Sequence, residues 1–268
     1  MFSLNWGHNV TLKQVCLAAV SDLHLDQDKN RLRDILWSCE EYVESGVDHL
    51  ILTGDLVSRM PLRRGFTKKG CRALFAKIKQ DMKEYGSYNS LATSIVPGNH
   101  DLRLLGMFTQ QMSAAEFLRH FRKLHESAIF MDSPYPWVKF IGSVALIGID
   151  SASKGSGAGG CIGDDQIQKI SDILDRRDVK KRSPILILHH SPLTQAQKRL
   201  KRLKDSERFL KAVRGRASVI ICGHTHTYGT YRECGVRIIH CSSDIIALLR
   251  IKNKELHVGF WAVRNEYS

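Results

Sequence analysis

The sequence predicts an α/β fold, built either on one mixed sheet or on two sheets packed face to face between helices. Continuous apolar runs of strand length, such as VCLAAV at 15–20 and PILIL at 184–188, are typical of strands buried on both faces. Segments with apolar residues at every third or fourth position separate these runs and indicate helices. Because no repeat, low-complexity segment or linker interrupts the pattern, we expect a single domain over residues 1–268.

Strands and helices alternate in the first part of the chain. The run at 15–20 predicts the first strand, and helical spacing over 31–45 predicts the first helix. A second strand is expected at 47–53, a second helix at 67–85 and a third strand at 91–96. This alternation is typical of an α/β protein.

Short strands dominate the second part of the chain. Gly142 and Ser143 divide an apolar segment into the two strands of a hairpin, and the residues 151–163 are rich in Gly and Ser, which predicts a loop. The other predicted elements are helices at 114–127, 164–174 and 196–213 and strands at 183–188, 217–222, 236–243, 245–251 and 255–263.

Five of the predicted strands end in unusual polar groups, within the fragments SDLH, TGDLV, PGNHD, LHHSP and CGHTH. Ligands of α/β proteins bind at the carboxyl ends of strands, so these side chains are expected to meet. The set mixes nitrogen and oxygen donors without a thiolate, which suits Mn, Fe, Zn or Co. One such fragment alone is ordinary turn chemistry, and it is the joint occurrence of five that indicates a metal site. The candidate ligands are Asp22, His24, Asp55, Asn99, His100, His189, His190, His224 and His226.

The series D-x-H, GD, GNHD, a His shortly before a Pro, and GHTH, in this order from Asp22 to His226, resembles the calcineurin-like metallophosphoesterases. The resemblance implies a four-layer αββα sandwich, in which two mixed β-sheets pack face to face and are flanked by helices. It also implies two divalent metal ions, among which Mn is favoured, held about 3.5–4 Å apart. By motif, Asp22, His24 and His226 hold one metal, Asn99, His189 and His224 hold the other, and Asp55 bridges the two.

Two further roles follow from the same motifs. The resemblance implies that His100 donates a proton to the leaving oxygen or steadies the phosphate, and it makes Asp101 a candidate to orient His100 through a hydrogen bond. Of the two neighbouring histidines, His189 is favoured over His190 as the ligand because it directly follows the apolar run.

The chain departs from the patterns of the family in two respects. Relatives often carry a second acid or an Asn a few residues after GD, where this chain has Ser58. Ser58, Met60 and Asp101 also differ from the motifs GDxxDRG and GNHE of the serine/threonine phosphatase branch, so membership of that branch is not expected. Asp26 is expected to be a solvated loop residue.

The expected function is a phosphodiesterase that hydrolyses a nucleotide-like or other small diester, with attack by a hydroxide that the two metals share. A nuclease, a phospholipid or pyrophosphate hydrolase at a membrane surface, and a phosphatase of monoesters remain as alternatives. A non-catalytic scaffold is the least favoured reading because every ligand position is filled.

The net charge of +13 is concentrated in two segments. Residues 59–79 carry eight Lys and Arg and no acid, and residues 196–216 carry nine against two acids. Both follow strand ends with candidate ligands, so we expect them to attract an anionic substrate and to allow contact with nucleic acid or an anionic membrane surface.

The seven scattered Cys lack a CxxC pair, and no signal peptide or membrane span is evident, so a cytoplasmic location is expected.

Overall fold

The computed structural model of the chain describes residues 14–28, 30–42, 46–58, 76, 91–103, 107–194 and 202–264. The helices are α1 Arg31–Tyr42, α2 Asn99–Leu102, α3 Ala114–His120, α4 Asp164–Asp175, α5 Arg177–Lys180 and α6 Ser206–Val213, with a 3-10 turn at Arg122–His125. The strands are β1 Val15–Val20, β2 His49–Leu52, β3 Thr93–Ile95, β4 Ile129–Phe130, β5 Trp137–Ile141, β6 Val144–Gly148, β7 Ser183–Ile187, β8 Val219–Cys222, β9 Gly229–Glu233, β10 Val236–His240, β11 Ile245–Lys252 and β12 Glu255–Ala262.

The strands form two mixed sheets. One has five strands in the order β12-β11-β1-β2-β3, and the other has seven in the order β4-β5-β6-β7-β8-β10-β9. Strands β1, β2 and β3 run parallel in the first sheet, and β6, β7, β8 and β10 run parallel in the second. The carboxyl ends of the parallel strands therefore lie along one edge of each sheet, where the polar fragments follow them.

The two sheets face each other across the main core. Alternate residues of β7 show this, because Ile185 and Ile187 belong to the core shared with β1, β2 and β11, whereas Leu186 packs in a second core with α4 and α6. Sheets therefore form the two inner layers of the molecule, with helices outside them, and the predicted αββα sandwich is confirmed.

Most of the predicted elements are present, with some differences in extent. Helix α6 begins at Ser206 rather than at 196: Arg202–Asp205 form a turn and a bridge to Gly160, and the residues 196–201 lie outside the described part. The segment 114–127 breaks into α3 and the 3-10 turn at Phe121, whose backbone leaves the helical region. Strand β9 was expected to be loop, because its exposed, polar sequence lacks a buried run.

Two predictions cannot be compared with the structure. The helix over 67–85 and the basic segment 59–79 lie outside the described residues, apart from Ala76. In the part of the chain that the structure describes, no helix is long and apolar enough to cross a membrane.

The buried imidazole of His125 has no hydrogen-bond partner among the residues that the structure describes. Its side chain is 2% exposed, neither ring nitrogen has a partner among the described residues, and the ring packs edge-on against Trp137 at a centroid distance of 4.8 Å. Burial, together with the nearby charge of Lys139, lowers the pKa of His125 to about 3. His49 is buried in a similar way with a pKa lowered to about 3, but its Nε2 meets Ser94 Oγ at 2.9 Å.

We expect His125→Leu to raise the free energy of unfolding at pH 7 by about 1–3 kcal/mol, because it removes an unsatisfied polar group from the core. His49→Leu, the matched control, should lower the free energy of unfolding by about 1 kcal/mol, because Ser94 loses its partner.

The two histidines also make the stability depend on pH. In the unfolded chain they bind a proton near pH 6.5 and in the folded chain only near pH 3, so stability falls as the pH drops through that window. Each substitution should therefore weaken the acid sensitivity. Urea unfolding at pH 7 and pH 5 with EDTA measures both effects, and a His125→Leu variant less stable than wild type at pH 7 would contradict the prediction.

Candidate metal centre

The five polar strand ends converge between the two sheets. Asp22, Asp55 and Asn99 follow β1, β2 and β3 of the five-stranded sheet, whereas His189 and His224 follow β7 and β8 of the seven-stranded sheet. The groups are joined by short contacts, and four of these five side chains are at most 1% exposed. The fold thus brings together the side chains that the motifs singled out.

His189 is the centre of one group of potential ligand atoms. Its Nε2 lies 3.1 Å from Asn99 Oδ1, 3.2 Å from Asp55 Oδ2 and 3.2 Å from His224 Nδ1. Its Nδ1 lies 2.7 Å from the carbonyl oxygen of Thr53, to which it can donate its proton. That tautomer leaves the lone pair of Nε2 for a metal ion, which is the usual arrangement of metal-binding histidines.

A second group adjoins the first. The potential ligand atoms of Asp22, His24 and His226 lie within 4.8 Å of one another, and so do those of Asp22, Asp55 and His189. The rings of His24 and His226 stack at a centroid distance of 5.4 Å. The two carboxylates therefore stand between two clusters of imidazoles, as a pair of neighbouring metal ions would require.

Each of the two carboxylates uses one oxygen for the fold and keeps the other for a ligand. Oδ1 of Asp55 accepts the backbone N–H of His100 at 2.9 Å, while Oδ2 faces His189. Oδ2 of Asp22 accepts the backbone N–H of His224 at 3.0 Å, while the buried Oδ1 has no hydrogen-bond partner among the described residues. An unpartnered, buried carboxylate oxygen is costly unless a cation binds it, so these residues fit divalent metal ions.

The charges of the site also favour a cation. Burial raises the pKa of Asp22. Burial acts in the same direction on Asp55, but the neighbouring His189 outweighs it and holds the pKa of Asp55 well below its usual range. Burial lowers the pKa of His189, and the Asp55 charge more than reverses this and raises it to about 9. The buried carboxylates thus need a positive charge beside them, which a proton on His189 or a metal ion can supply.

Left-handed backbone geometry is concentrated at the proposed ligands. Asp22, His24, Asp55, His224 and His226 have φ angles between 47° and 69°. This region costs roughly 1–2 kcal/mol for a residue with a side chain, and clusters of such residues occur at functional sites.

The glycines of the motifs allow a close approach to the carboxylates. A Cβ on Gly98 would collide with Oδ1 and the backbone nitrogen of Asp55, and one on Gly223 would collide with Ser21 Oγ. The glycine of GNHD and the glycine of GHTH are therefore required sterically, because the loops pass directly over neighbouring strand ends.

His100 and Asp101 have different surroundings from those expected. The hydrogen bond predicted from Asp101 to His100 does not form; the ring Nδ1 of His100 instead lies 2.5 Å from the carbonyl oxygen of Ser58. The carboxylate of Asp101 is engaged elsewhere, since it accepts the backbone N–H groups of Gly98 and Leu56, both at 2.9 Å. Asp101 thereby ties the GD loop to the GNHD loop. Burial, with a contribution from the Asp55 charge, raises the pKa of Asp101 to about 8.

Asp26 is an exposed turn residue, as the sequence predicted, but it also supports the site. Its Oδ1 accepts the backbone N–H of Ser58 at 2.7 Å, and its Oδ2 accepts the Ser58 hydroxyl at 2.8 Å. Asp26 thus fixes the residue whose carbonyl receives His100. The sequence offered one signal for this role of Asp26, because Ser58 stands where relatives often carry an acid. In this chain the carboxylate beside position 58 comes from another loop.

The potential ligand atoms of His189, His190 and His224 all lie within 4.8 Å of one another, so both neighbouring histidines belong to the cluster. His189 faces Asn99 and Asp55, whereas the ring of His190 turns toward Ser151, with 3.0 Å between Nδ1 and Oγ. The ring centroid of His190 lies 4.5 Å from that of His224.

Known proteins resemble this chain in sequence pattern and in fold. The family model described as calcineurin-like phosphoesterase matches residues 17–228. A search of curated proteins found no match. Among solved structures, a dimetal phosphatase from Danio rerio is 11% identical with a TM-score of 0.63, over 95% of this chain and all of that one.

Two other solved structures share the fold. A putative 5'-nucleotidase from Staphylococcus aureus is 13% identical with a TM-score of 0.57, covering 95% of this chain and 55% of that one. GAP50 of Plasmodium, described as the anchor in the inner membrane complex, is 11% identical with a TM-score of 0.56, covering 94% of this chain and 85% of that one. At these identities the likeness concerns the fold alone.

The left-handed backbone of His226 gives a test of strain at the site. This side chain is 58% exposed, so its replacement removes little packing. We expect metal-free His226→Gly to be about 1 kcal/mol more stable than His226→Ala, because only glycine relieves the strain at a φ of 54°. Both variants lose a ligand and should bind Mn²⁺ more weakly than wild type. Urea unfolding with EDTA and calorimetric Mn²⁺ titration provide the two measurements, and equal stabilities of the Gly and Ala variants would show that no strain is held there.

Proposed function

The chain belongs to the calcineurin-like phosphoesterase family of metal-dependent phosphoester hydrolases, and on this premise we propose that it is a phosphodiesterase acting on a small, nucleotide-like diester. The observation that carries the proposal is the pair of adjoining ligand groups around Asp22 and Asp55, beside which His100 stands as a proton donor. Its ring lies edge-on to that of His24, with centroids 5.8 Å apart.

The residues of the site divide the chemical work. When bound, two divalent ions supply Lewis acidity, neutralise phosphate oxygens and make a bound water acidic. The seven ligand residues hold the ions at fixed strand ends, which keeps the reacting groups in place. The ring of His100 has Nδ1 committed to the Ser58 carbonyl, so Nε2 is the nitrogen left to protonate the departing oxygen. Asp26 and Asp101 hold the loops that set this geometry.

The surroundings of Arg103 support a diester over a monoester substrate. This residue follows the GNHD helix, yet it is only 4% exposed. Its guanidinium donates hydrogen bonds to loop carbonyls, including those of Ala152 at 2.8 Å and Gly157 at 2.7 Å. It is therefore unavailable to neutralise the second charge of a phosphomonoester dianion. A diester phosphate carries one negative charge and makes a smaller demand on such groups.

The remaining parts of the proposal concern metal, location and partners. The mixed nitrogen and oxygen donors support Mn²⁺ as the working metal. Buried free thiols at Cys16, Cys39, Cys222 and Cys241 support a reducing, cytoplasmic setting.

We propose that the basic segments 59–79 and 196–216 attract anionic substrates. This supports a nuclease or an enzyme at anionic membranes as the alternative activity.

The bridging carboxylate gives the first test of the function. With Mn²⁺, we expect the wild type to hydrolyse bis-p-nitrophenyl phosphate faster than p-nitrophenyl phosphate, and Asp55→Asn to lower kcat at least about 100-fold through loss of metal binding. Asp165→Asn is the matched control, because this carboxylate is 90% exposed on α4, and it should leave the rate unchanged. Cleavage of the monoester alone would identify a phosphatase, and bound metal without turnover of either ester would direct the search to nucleic acids and lipids.

His100 gives a second test through the leaving group. A p-nitrophenolate departs without a proton, whereas the alkoxide released from a glycerophosphodiester needs one. We expect His100→Gln to lower kcat for the alkyl diester by about 10²–10⁴-fold and to have a much smaller effect on bis-p-nitrophenyl phosphate. Equal losses on both substrates would assign His100 to phosphate binding instead.

A further inference from the structure

A buried histidine outside the sequence motifs lies beside the metal centre. His240 ends strand β10, whose neighbour in the sheet is the parallel strand β8, and the two strands are in register at His240 and Cys222. His224 follows Cys222 by two residues, so His240 lies at the sheet edge where the ligands are gathered. The residue is 1% exposed, and the ring of Tyr231 packs over it at a centroid distance of 4.7 Å.

The two nitrogens of His240 contact two different ligand loops. Nε2 lies 2.6 Å from the hydroxyl of Ser191, two residues after His189. Nδ1 lies 3.1 Å from the hydroxyl of Thr225, which stands between His224 and His226. A neutral imidazole donates at one nitrogen and accepts at the other, and a hydroxyl can complement either role, so all these groups can be satisfied together.

The contacts of Ser191 and Thr225 extend the link into the backbone and along the second loop. The hydroxyl of Ser191 also accepts the backbone N–H of Leu193 at 3.2 Å, which fixes the loop after β7. The hydroxyls of Thr225 and Thr227 lie 2.7 Å apart, and Thr227 Oγ1 lies 3.4 Å from the His240 ring. One rigid side chain thus joins the loop of His189 to the loop of His224 and His226.

We propose that His240 is a positioning residue that fixes the spacing between these two loops and thereby sets the affinity of the centre for its metal ions. The inference rests on the proposed metal-dependent function and adds a residue to it. His189 and His224 belong to one ligand group and His226 to the other, so a change in loop spacing would disturb both groups. Buried hydrogen-bond networks that hold metal ligands typically contribute 10–100-fold to metal affinity.

The test compares metal binding by His240→Leu with that by His49→Leu. His49 is the matched control because it is also a buried strand histidine with a hydroxyl partner, Ser94, but it begins β2 at the sheet edge opposite the ligands. We expect His240→Leu to raise the Kd for Mn²⁺ about 10–100-fold by isothermal titration calorimetry. His49→Leu should keep the wild-type Kd. Activity of His240→Leu on bis-p-nitrophenyl phosphate should recover when Mn²⁺ is raised, which a general loss of folding would not allow.

A double-mutant cycle covers the case in which His240→Leu fails to fold. Ser191→Ala and Thr225→Val each remove one end of the link, so each should weaken Mn²⁺ binding, and the double variant should be no weaker than the worse single variant because the two ends act through one imidazole. Fully additive losses would overturn the proposal, as would a folded His240→Leu variant with wild-type Mn²⁺ affinity. A wild-type protein that binds no Mn²⁺ would overturn the proposed function itself, and the two failures are therefore distinguishable.

Discussion

The buried carboxylates of Asp22 and Asp55 are the constraint on which the rest of the site depends. Each lies at a strand end, inside the protein, where an uncompensated negative charge is costly. Each also accepts a backbone N–H from a neighbouring ligand loop, Asp55 from His100 and Asp22 from His224. The same side chains that bind metal therefore hold the loops in place, so the geometry of the centre and the local fold cannot be separated.

Strain and steric closeness explain why the motifs contain the residues they do. The ligands lie where strands end, and five of the seven proposed ligands have left-handed backbone conformations. The intervening glycines let the loops pass within contact distance of Asp55 and Ser21, where a Cβ would collide. A sequence that satisfies these demands at five strand ends at once is unusual, and this is why the order of the motifs alone could indicate the family and the ligands.

Other parts of the structure could not be predicted from the sequence, because they depend on contacts between distant segments. The motif spacing predicted a partner for His100 but placed it at Asp101, the next residue of the same helical turn. The fold instead supplies the Ser58 carbonyl and fixes Ser58 with Asp26 from another loop. His240 has no motif around it, and its link between Ser191 and Thr225 arises only because β10 pairs with β8. Strand β9 was missed because an exposed edge strand carries no buried apolar run.

These features imply that metal binding and local folding are coupled. Without a cation, the positive charge beside Asp55 comes from a proton on His189, whose pKa is raised to about 9 by the carboxylate despite its burial. A metal ion held by His189 would displace that proton, and the free energy of its binding would also offset the strain at the strand ends and the burial of the second carboxylate. Asp26, Asp101 and His240 bind no metal in this arrangement. By holding the loops together in advance, they reduce the ordering that metal binding would otherwise have to impose, and this makes a tight centre compatible with ligands drawn from two separate sheets.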